Sequence, residues 1–255
     1  MPERSPLRAA IITQDEPFAV PVLLQELLPV KGDRIAAVFI APPTSKRESF
    51  RDLVGRWRSV FGPLTFVRYG LRYVRAKLLG PRPARVAWRF GVAVEEVANV
   101  NAPEFLARLR ELGIDLVISV SCPQIFRRKL LELPPLGCVN VHSAPLPRYR
   151  GMLPTFWVLY HGEPETAVTV HFMAEELDDG PIILQEAVPI PAGETQANLM
   201  RRCKVVGARL LAQAIDLFEL GEVRTRPNPR EQATYFSFPT AADARAFRER
   251  GGRWL

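Results

Sequence analysis

The sequence predicts an α/β fold, a mostly parallel sheet with helices on both faces, and two patterns carry that expectation. Short, continuously apolar runs recur at residues 9–13, 34–41, 115–120 and 138–141. Runs of this length that do not alternate with polar residues read as strands buried on both sides. Between them lie segments whose apolar residues recur at helical spacing, 18–28 and 103–112, the second through Phe105, Leu106, Leu109 and Leu112. Alternation of the two patterns is the signature of a sheet covered by crossover helices. In such sheets ligands gather at the carboxyl ends of the strands, so the loops after Thr13, Ile40, Val120 and Val141 are where chemistry is expected.

Each element follows from local chemistry. The second run (Ile35, Ala36, Ala37, Val38, Phe39, Ile40) is closed by Pro42-Pro43, which cannot extend a ladder. Beyond His142 the pattern changes. Residues 155–160 read as a short helix, and 167–173 and 182–189 as alternating strands around a polar turn at 175–180. Residues 194–219 form a long helix through Leu199, Val205, Val206, Leu210, Leu211, Ile215 and Leu217. The tail, 224–255, is rich in proline and arginine, with an aromatic stretch at 235–238 and a final helix at 241–249.

Composition excludes several classes. A chain that is 47% hydrophobic and 24% charged is globular and not disordered. No apolar run approaches the ~18 residues that span a bilayer, and Met1–Arg8 is no signal peptide, so a cytoplasmic location is expected. Cys122, Cys138 and Cys203 lack C-x-x-C spacing and read as buried free thiols. His142, His161 and His171 match no metal-ligand spacing, so no metal is expected and zinc hydrolysis is disfavoured.

Charge is concentrated. The chain carries a net +7, yet residues 44–85 hold eleven Lys or Arg against Glu48 and Asp52. A segment this basic suits a phosphorylated substrate, nucleic acid or an anionic membrane surface. Within it, 64–79 reads as a helix with Arg68, Arg72 and Arg75 on one face and Phe66, Val67, Leu71, Val74 and Leu78 largely elsewhere. Its basic face is either a docking face or simply solvated.

Three short strings carry the chemistry. They are Asn140-Val141-His142, followed by Pro145-Leu146-Pro147-Arg148-Tyr149-Arg150-Gly151; His171-Phe172-Met173; and Leu177-Asp178-Asp179-Gly180. Singly, each reads as turn or strand-end chemistry. Together they offer an amide donor, an imidazole and a carboxylate, with Asn140 and His142 on one side of a strand by its two-residue period. Such a set can hold an oxyanion and move a proton.

The string N-V-H-S-A-P-L-P-R-Y-R-G, with Asp178 lying 36 positions after His142 in L-D-D-G-P-I-I-L-Q, resembles the folate-dependent formyltransferase family. The resemblance is best over residues 102–190. It implies a Rossmann-like catalytic domain over 1–220, with 44–85 a basic helical insert and 221–255 a short C-terminal extension. It also implies transfer of a formyl group from 10-formyltetrahydrofolate to a primary amine. Asn140 and His142 would stabilise the oxyanion, and Asp178 would orient His142 or relay a proton. The donor's pterin would lie against Gln124, Ile125, Phe126, His171, Met173, Ala174, Glu175 and Leu177. The amine acceptor would meet Gln14, Asp15, Tyr149, Gly151, Arg68 and Arg72.

Two departures from the family's pattern are Ala144, where a serine is common, and Asp179, for which no role beyond the turn is expected. The loop Thr13-Gln14-Asp15-Glu16-Pro17-Phe18 contains no glycine, which disfavours a ribonucleotide phosphate cradle. Two carboxylates there could hold an amino group, although a helix cap at Asp15 is the simpler reading. About 35 residues follow the long helix, too few for the tRNA-binding barrel of methionyl-tRNA enzymes. The favoured acceptor is therefore a small phosphorylated amine such as an amino-sugar nucleotide. Nucleic acid is not favoured, and a homodimer and a membrane contact through the insert stay open. The alternatives are a methionyl-tRNA enzyme without that barrel, a folate-binding protein without turnover, and a formyl-folate hydrolase.

Overall fold

The computed structural model describes residues 6–42 and 50–255, with the side chains of residues 50–53 left aside. In chain order the elements are β1 (Ala9–Thr13), α1 (Val20–Lys31), β2 (Ile35–Ile40), α2 (Phe50–Phe61), α3 (Pro63–Leu79), α4 (Pro83–Arg89), β3 (Ala93–Glu96), α5 (Pro103–Glu111), β4 (Leu116–Ser119) and α6 (Arg128–Leu131). They continue as β5 (Cys138–His142), β6 (Arg150–Gly151), α7 (Pro154–Tyr160), β7 (Glu165–Phe172), β8 (Ile182–Pro189), α8 (Gln196–Leu220), β9 (Tyr235–Phe236) and α9 (Ala241–Glu249). Seven strands form one sheet in the order β3-β2-β1-β4-β5-β7-β8. The first five run parallel, and β7 and β8 join antiparallel. No helix among the described residues is long and apolar enough to cross a membrane.

The period of the strands sorts their side chains onto two faces. Ala9, Ile11, Val38, Ile118, Val139, Val141, Val168 and Val170 face α1 and α8. Ala10, Ile12, Ala37, Phe39, Val117 and Cys138 face α5 and the segment around Phe126 and Leu130. Leu23, Leu24 and Leu27 of α1 are wholly buried, each worth roughly 2–3 kcal/mol of transfer free energy. Helix ends are closed by side chains: Thr195 accepts from Asn198 N–H at the start of α8, and Thr240 and Asp243 form a reciprocal capping box on α9.

Several elements depart from the expectation. Residues 167–173 do not alternate: β7 is buried at six successive positions, because it lies between β5 and β8 with α8 on one face. β3 and α4 carry no clear period, since β3 is an edge strand of four residues ending in Glu95-Glu96. The expected helix at 64–79 is α3, which lies with α2 and α4 between β2 and β3. Residues 43–49 of the basic segment lie outside the described residues. An aromatic cluster ties α2 and α3 down, with Trp57 and Phe61 meeting Tyr69, Phe238 and Trp254. Trp254 in turn stacks on Phe156. The residues after α8 thus return to pack against α2 and α7.

One glycine sets how closely α8 approaches the sheet. A Cβ on Gly207 would lie 2.9 Å from Val141 Cγ1 and 3.6 Å from Val168 Cγ1. Val141 stands between Asn140 and His142, so pressure there displaces both. Gly207→Leu should lower stability by about 1–3 kcal/mol through overpacking. Urea denaturation checks this, and an unchanged midpoint would contradict the close approach.

Candidate active site

The antiparallel register of β5 and β7 assembles the site. Asn140 pairs with His171 and His142 with Thr169, and these four share the face opposite α8. Asn140 is also level with Ser119, the last residue of β4, so the site begins where the parallel sheet loses a strand. The loop after β7 brings Asp178 across this face. One carboxylate oxygen lies 3.5 Å from His142 Nδ1 and accepts from Gly151 N–H at 2.8 Å. The other accepts from Asn140 Nδ2 at 3.4 Å and lies 3.7 Å from His171 Nε2. His142, His171 and Asp178 are buried, and Asn140 is half-buried.

Asp178 is held in place by its own backbone. Its φ of 52° lies in the left-handed region, uncommon for a residue with a side chain. Asn228 Nδ2 donates to the carbonyls of Asp178 and Gly180 at 2.9 Å each, fixing the loop from the C-terminal segment. Gly151 has no alternative: its φ is 99°, and a Cβ would sit 2.2 Å from the Phe236 carbonyl in the β6–β9 pair.

Hydrogen-bond partners define the protons. His142 Nε2 donates to the Tyr149 carbonyl at 2.7 Å, leaving Nδ1 to face Asp178. His171 Nδ1 donates to the Phe172 carbonyl at 2.7 Å, so its Nε2 is a lone-pair acceptor for Asn140 Nδ2 at 3.3 Å. Burial pushes His171 down to about 4 against the pull of Asp178, with His142 adding to the depression. His171 is therefore a neutral acceptor at pH 7, and it fixes which way the Asn140 amide points.

The other expected site residues fall into three groups. Met173 packs against the apolar cluster to which Phe126 belongs, so both segments lie on the same face of the sheet. Ile125 and Leu177 keep apolar side chains exposed, at 69% and 47%. Ala174 and Glu175 lie in the same loop as Leu177, half-buried and exposed respectively. Gln124 is a strut instead: its amide bonds Val100 N–H and the Ala98 carbonyl. Phe126 is 2% exposed and belongs to the core, so its ring is not a free face for a ligand. The segment is irregular, and α6 starts only at Arg128.

The acceptor residues are redistributed more strongly. Asp15 does not cap α1. Glu16 does, accepting from Phe18, Ala19 and Val20 N–H at 2.6–3.0 Å. Asp15 instead pairs with Lys77 of α3 and with Arg82 just before α4. Burial pushes its carboxyl up, but those bonds outweigh it and hold it below the usual range. It is thus a latch and not a free amine receptor. Gln14 is half-buried in the same loop. Arg72 lies over the Phe18 ring at 5.3 Å, and Arg68 is exposed on α3. The Tyr149 hydroxyl donates to Glu163 at 2.6 Å, so what it offers the site is its carbonyl.

Sequence reasoning passed over several supporting groups. Asp179 does more than turn the chain: half-buried at the loop, it pairs with Arg150 and with Arg230. Asn228 lies between two prolines, with no periodicity to mark it. Lys204 is buried on α8 and donates to Ser121 Oγ at 2.8 Å just past β4; burial pushes its pKa down. Its place among the apolar residues of α8 hid it.

With this geometry in view, comparison with known proteins becomes specific. The formyl transferase family matches residues 84–215, more than half of the chain, and the chain belongs to that family. It is 35% identical over 199 residues to a methionyl-tRNA formyltransferase of Kosmotoga olearia, covering 78% of this chain and 63% of that one. The chain thus spans somewhat under two thirds of that curated relative. Among solved structures, glycinamide ribonucleotide transformylase 1 of Symbiobacterium toebii superimposes with a TM-score of 0.62 at 23% identity, covering 88% of this chain and 95% of that one. An N-formyltransferase of Helicobacter canadensis, solved with folinic acid and dTDP-3-aminofucose, gives 0.58 at 18%, covering 91% and 71%. Both share the fold.

His171 makes stability depend on pH. Unfolded, its imidazole takes up a proton near 6.5; folded, only near 4. Its contribution is complete above 6.5 and is lost as pH falls toward 4, by a few kcal/mol. Urea midpoints between pH 4 and 6.5 should fall steeply in the wild type and less steeply in His171→Gln. Parallel curves would contradict the buried neutral ring.

Proposed function

We propose that this chain transfers a formyl group from 10-formyltetrahydrofolate to a primary amine of a phosphorylated acceptor. The observation that carries the reading is the single carboxylate of Asp178 meeting Asn140, His142 and the Gly151 N–H on one face of the β5–β7 pair. The exposed apolar side chains of Ile125 and Leu177 fit a flat heteroaromatic ring. The folate supplies the formyl carbon that the amine attacks.

The chain's own residues divide the work. The Asn140 amide donates to the oxygen that gains negative charge. Its present contacts, 3.3 Å to His171 and 3.4 Å to Asp178, are long enough to yield to a closer anionic acceptor. The proton lost by the attacking amine enters the Asp178–His142 pair and returns to the departing folate nitrogen. His142 keeps its orientation through the Tyr149 carbonyl.

Two acceptor classes have support. An amino-sugar nucleotide is favoured by the glycine-free loop after β1, which offers no close backbone cradle for a ribonucleotide phosphate. An aminoacyl-tRNA is favoured by the identity to the Kosmotoga olearia enzyme.

Calorimetric titration with 5-formyltetrahydrofolate, a stable donor mimic, should give one site per chain. His142→Ala should keep that affinity within a few-fold yet slow transfer by about 10²–10³. Turnover within tenfold of wild type would remove His142 from the mechanism. Assaying amino-sugar nucleotides beside methionyl-tRNA separates the acceptors, and rapid formate release without amine would indicate a hydrolase instead.

A further inference from the structure

Helix α3 has an outer face that its surroundings do not explain. Its inner side is accounted for: Phe66 packs on the core, and Tyr69 and Tyr73 lie against Phe18, with Tyr69 also stacked on Phe61. Its outer side is where a surface helix ordinarily carries polar residues. Here Leu64, Val67, Leu71, Val74 and Leu78 follow at intervals of three, four, three and four, exposed to 73, 56, 68, 54 and 69%. That spacing draws one continuous apolar stripe along the helix. Arg68 and Arg75 border it, Arg72 turns toward the Phe18 ring, and the 17 residues of α3 contain no acidic side chain.

The stripe and its border select the partner. A contiguous apolar face left in water marks an interaction surface. A second copy of α3 laid on the first would bring arginine borders together without carboxylates to pair them. A nucleic acid would use the arginines but gain nothing from leucine and valine, and the outer face presents no ring on which a base could stack. A bilayer with anionic headgroups uses both parts: acyl chains take the stripe and phosphates take the guanidinium groups. The helix is about 25 Å long, enough to lie in the interface.

We propose that α3 docks this protein on an anionic lipid surface, with Leu64, Val67, Leu71, Val74 and Leu78 immersed and Arg68 and Arg75 at the headgroups. The end of α3 is tied to the active-site side of the fold. Lys77 bonds the Asp15 carboxylate at 2.5 Å and its carbonyl at 3.0 Å, and Arg82 holds the same carboxylate. Asp15 belongs to the loop after β1, at the carboxyl edge of the sheet. Docking would therefore place the membrane beside that edge. The inference does not depend on the formyl-transfer reading.

The test is co-sedimentation of the full chain with vesicles of phosphatidylcholine alone or with about one third phosphatidylglycerol. Binding should require the anionic lipid and weaken in high salt. Arg68→Gln with Arg75→Gln should weaken it roughly 25-fold, about fivefold per charge. Leu71→Asp with Val74→Asp should abolish it while thermal melts stay close to wild type. No sedimentation with anionic vesicles would overturn the proposal, as would sedimentation unchanged by the aspartates. A concentration-dependent dimer that the aspartates disperse, in a chain that ignores vesicles, would assign the stripe to a second copy. Competition by RNA that ignores the aspartates would assign the arginines to nucleic acid. Either result would overturn it too.

Discussion

The carboxylate of Asp178 is the constraint around which the molecule closes. It accepts from Gly151 N–H and from the Asn140 amide, and it faces two imidazoles at 3.5 and 3.7 Å. Those partners come from β5, β6 and β7, so one buried charge fixes three segments relative to one another. A buried carboxylate is tolerated only when hydrogen bonds and charge replace the water it gave up. The neighbouring Asp179, paired with Arg150 and Arg230, holds the same loop from its other side. Burial pushes the Asp179 carboxyl up, but those arginines outweigh it and keep it below the usual range.

The parts distant from this carboxylate serve its placement. α8 presses on Val141 and Val168 through Gly207, and the opposite face of the same strands carries Asn140, His142 and His171. The segment after α8 returns through Asn228 and β9 to pin Asp178 and Gly151. Trp254 and Phe247 then seal the core against Phe156. The C-terminal residues therefore act on the site through the backbone they hold.

Much of this was legible in the sequence because it rests on period. The continuous apolar runs at 9–13, 35–40 and 138–141 became strands buried on both faces, and the spacing of Asn140 and His142 put them on one side. What stayed hidden depends on contacts remote along the chain. Glu16 rather than Asp15 caps α1 because Asp15 is drawn to Lys77 and Arg82, more than 60 positions later. Phe126 looked like a ligand platform but was claimed by the core, where its burial is worth more. The apolar stripe on α3 could be read only once the structure showed which side of that helix faces inward.

The most direct measurement is single-turnover formyl transfer by Asp178→Asn, alongside its affinity for 5-formyltetrahydrofolate. The substitution keeps the shape but removes the charge that faces His142 and one of the two acceptor oxygens that the Gly151 N–H and the Asn140 amide use. Donor binding should stay within a few-fold of wild type while transfer falls by at least about 10². Transfer within tenfold of wild type would show that the carboxylate only builds the loop, and the central role given to it would be wrong.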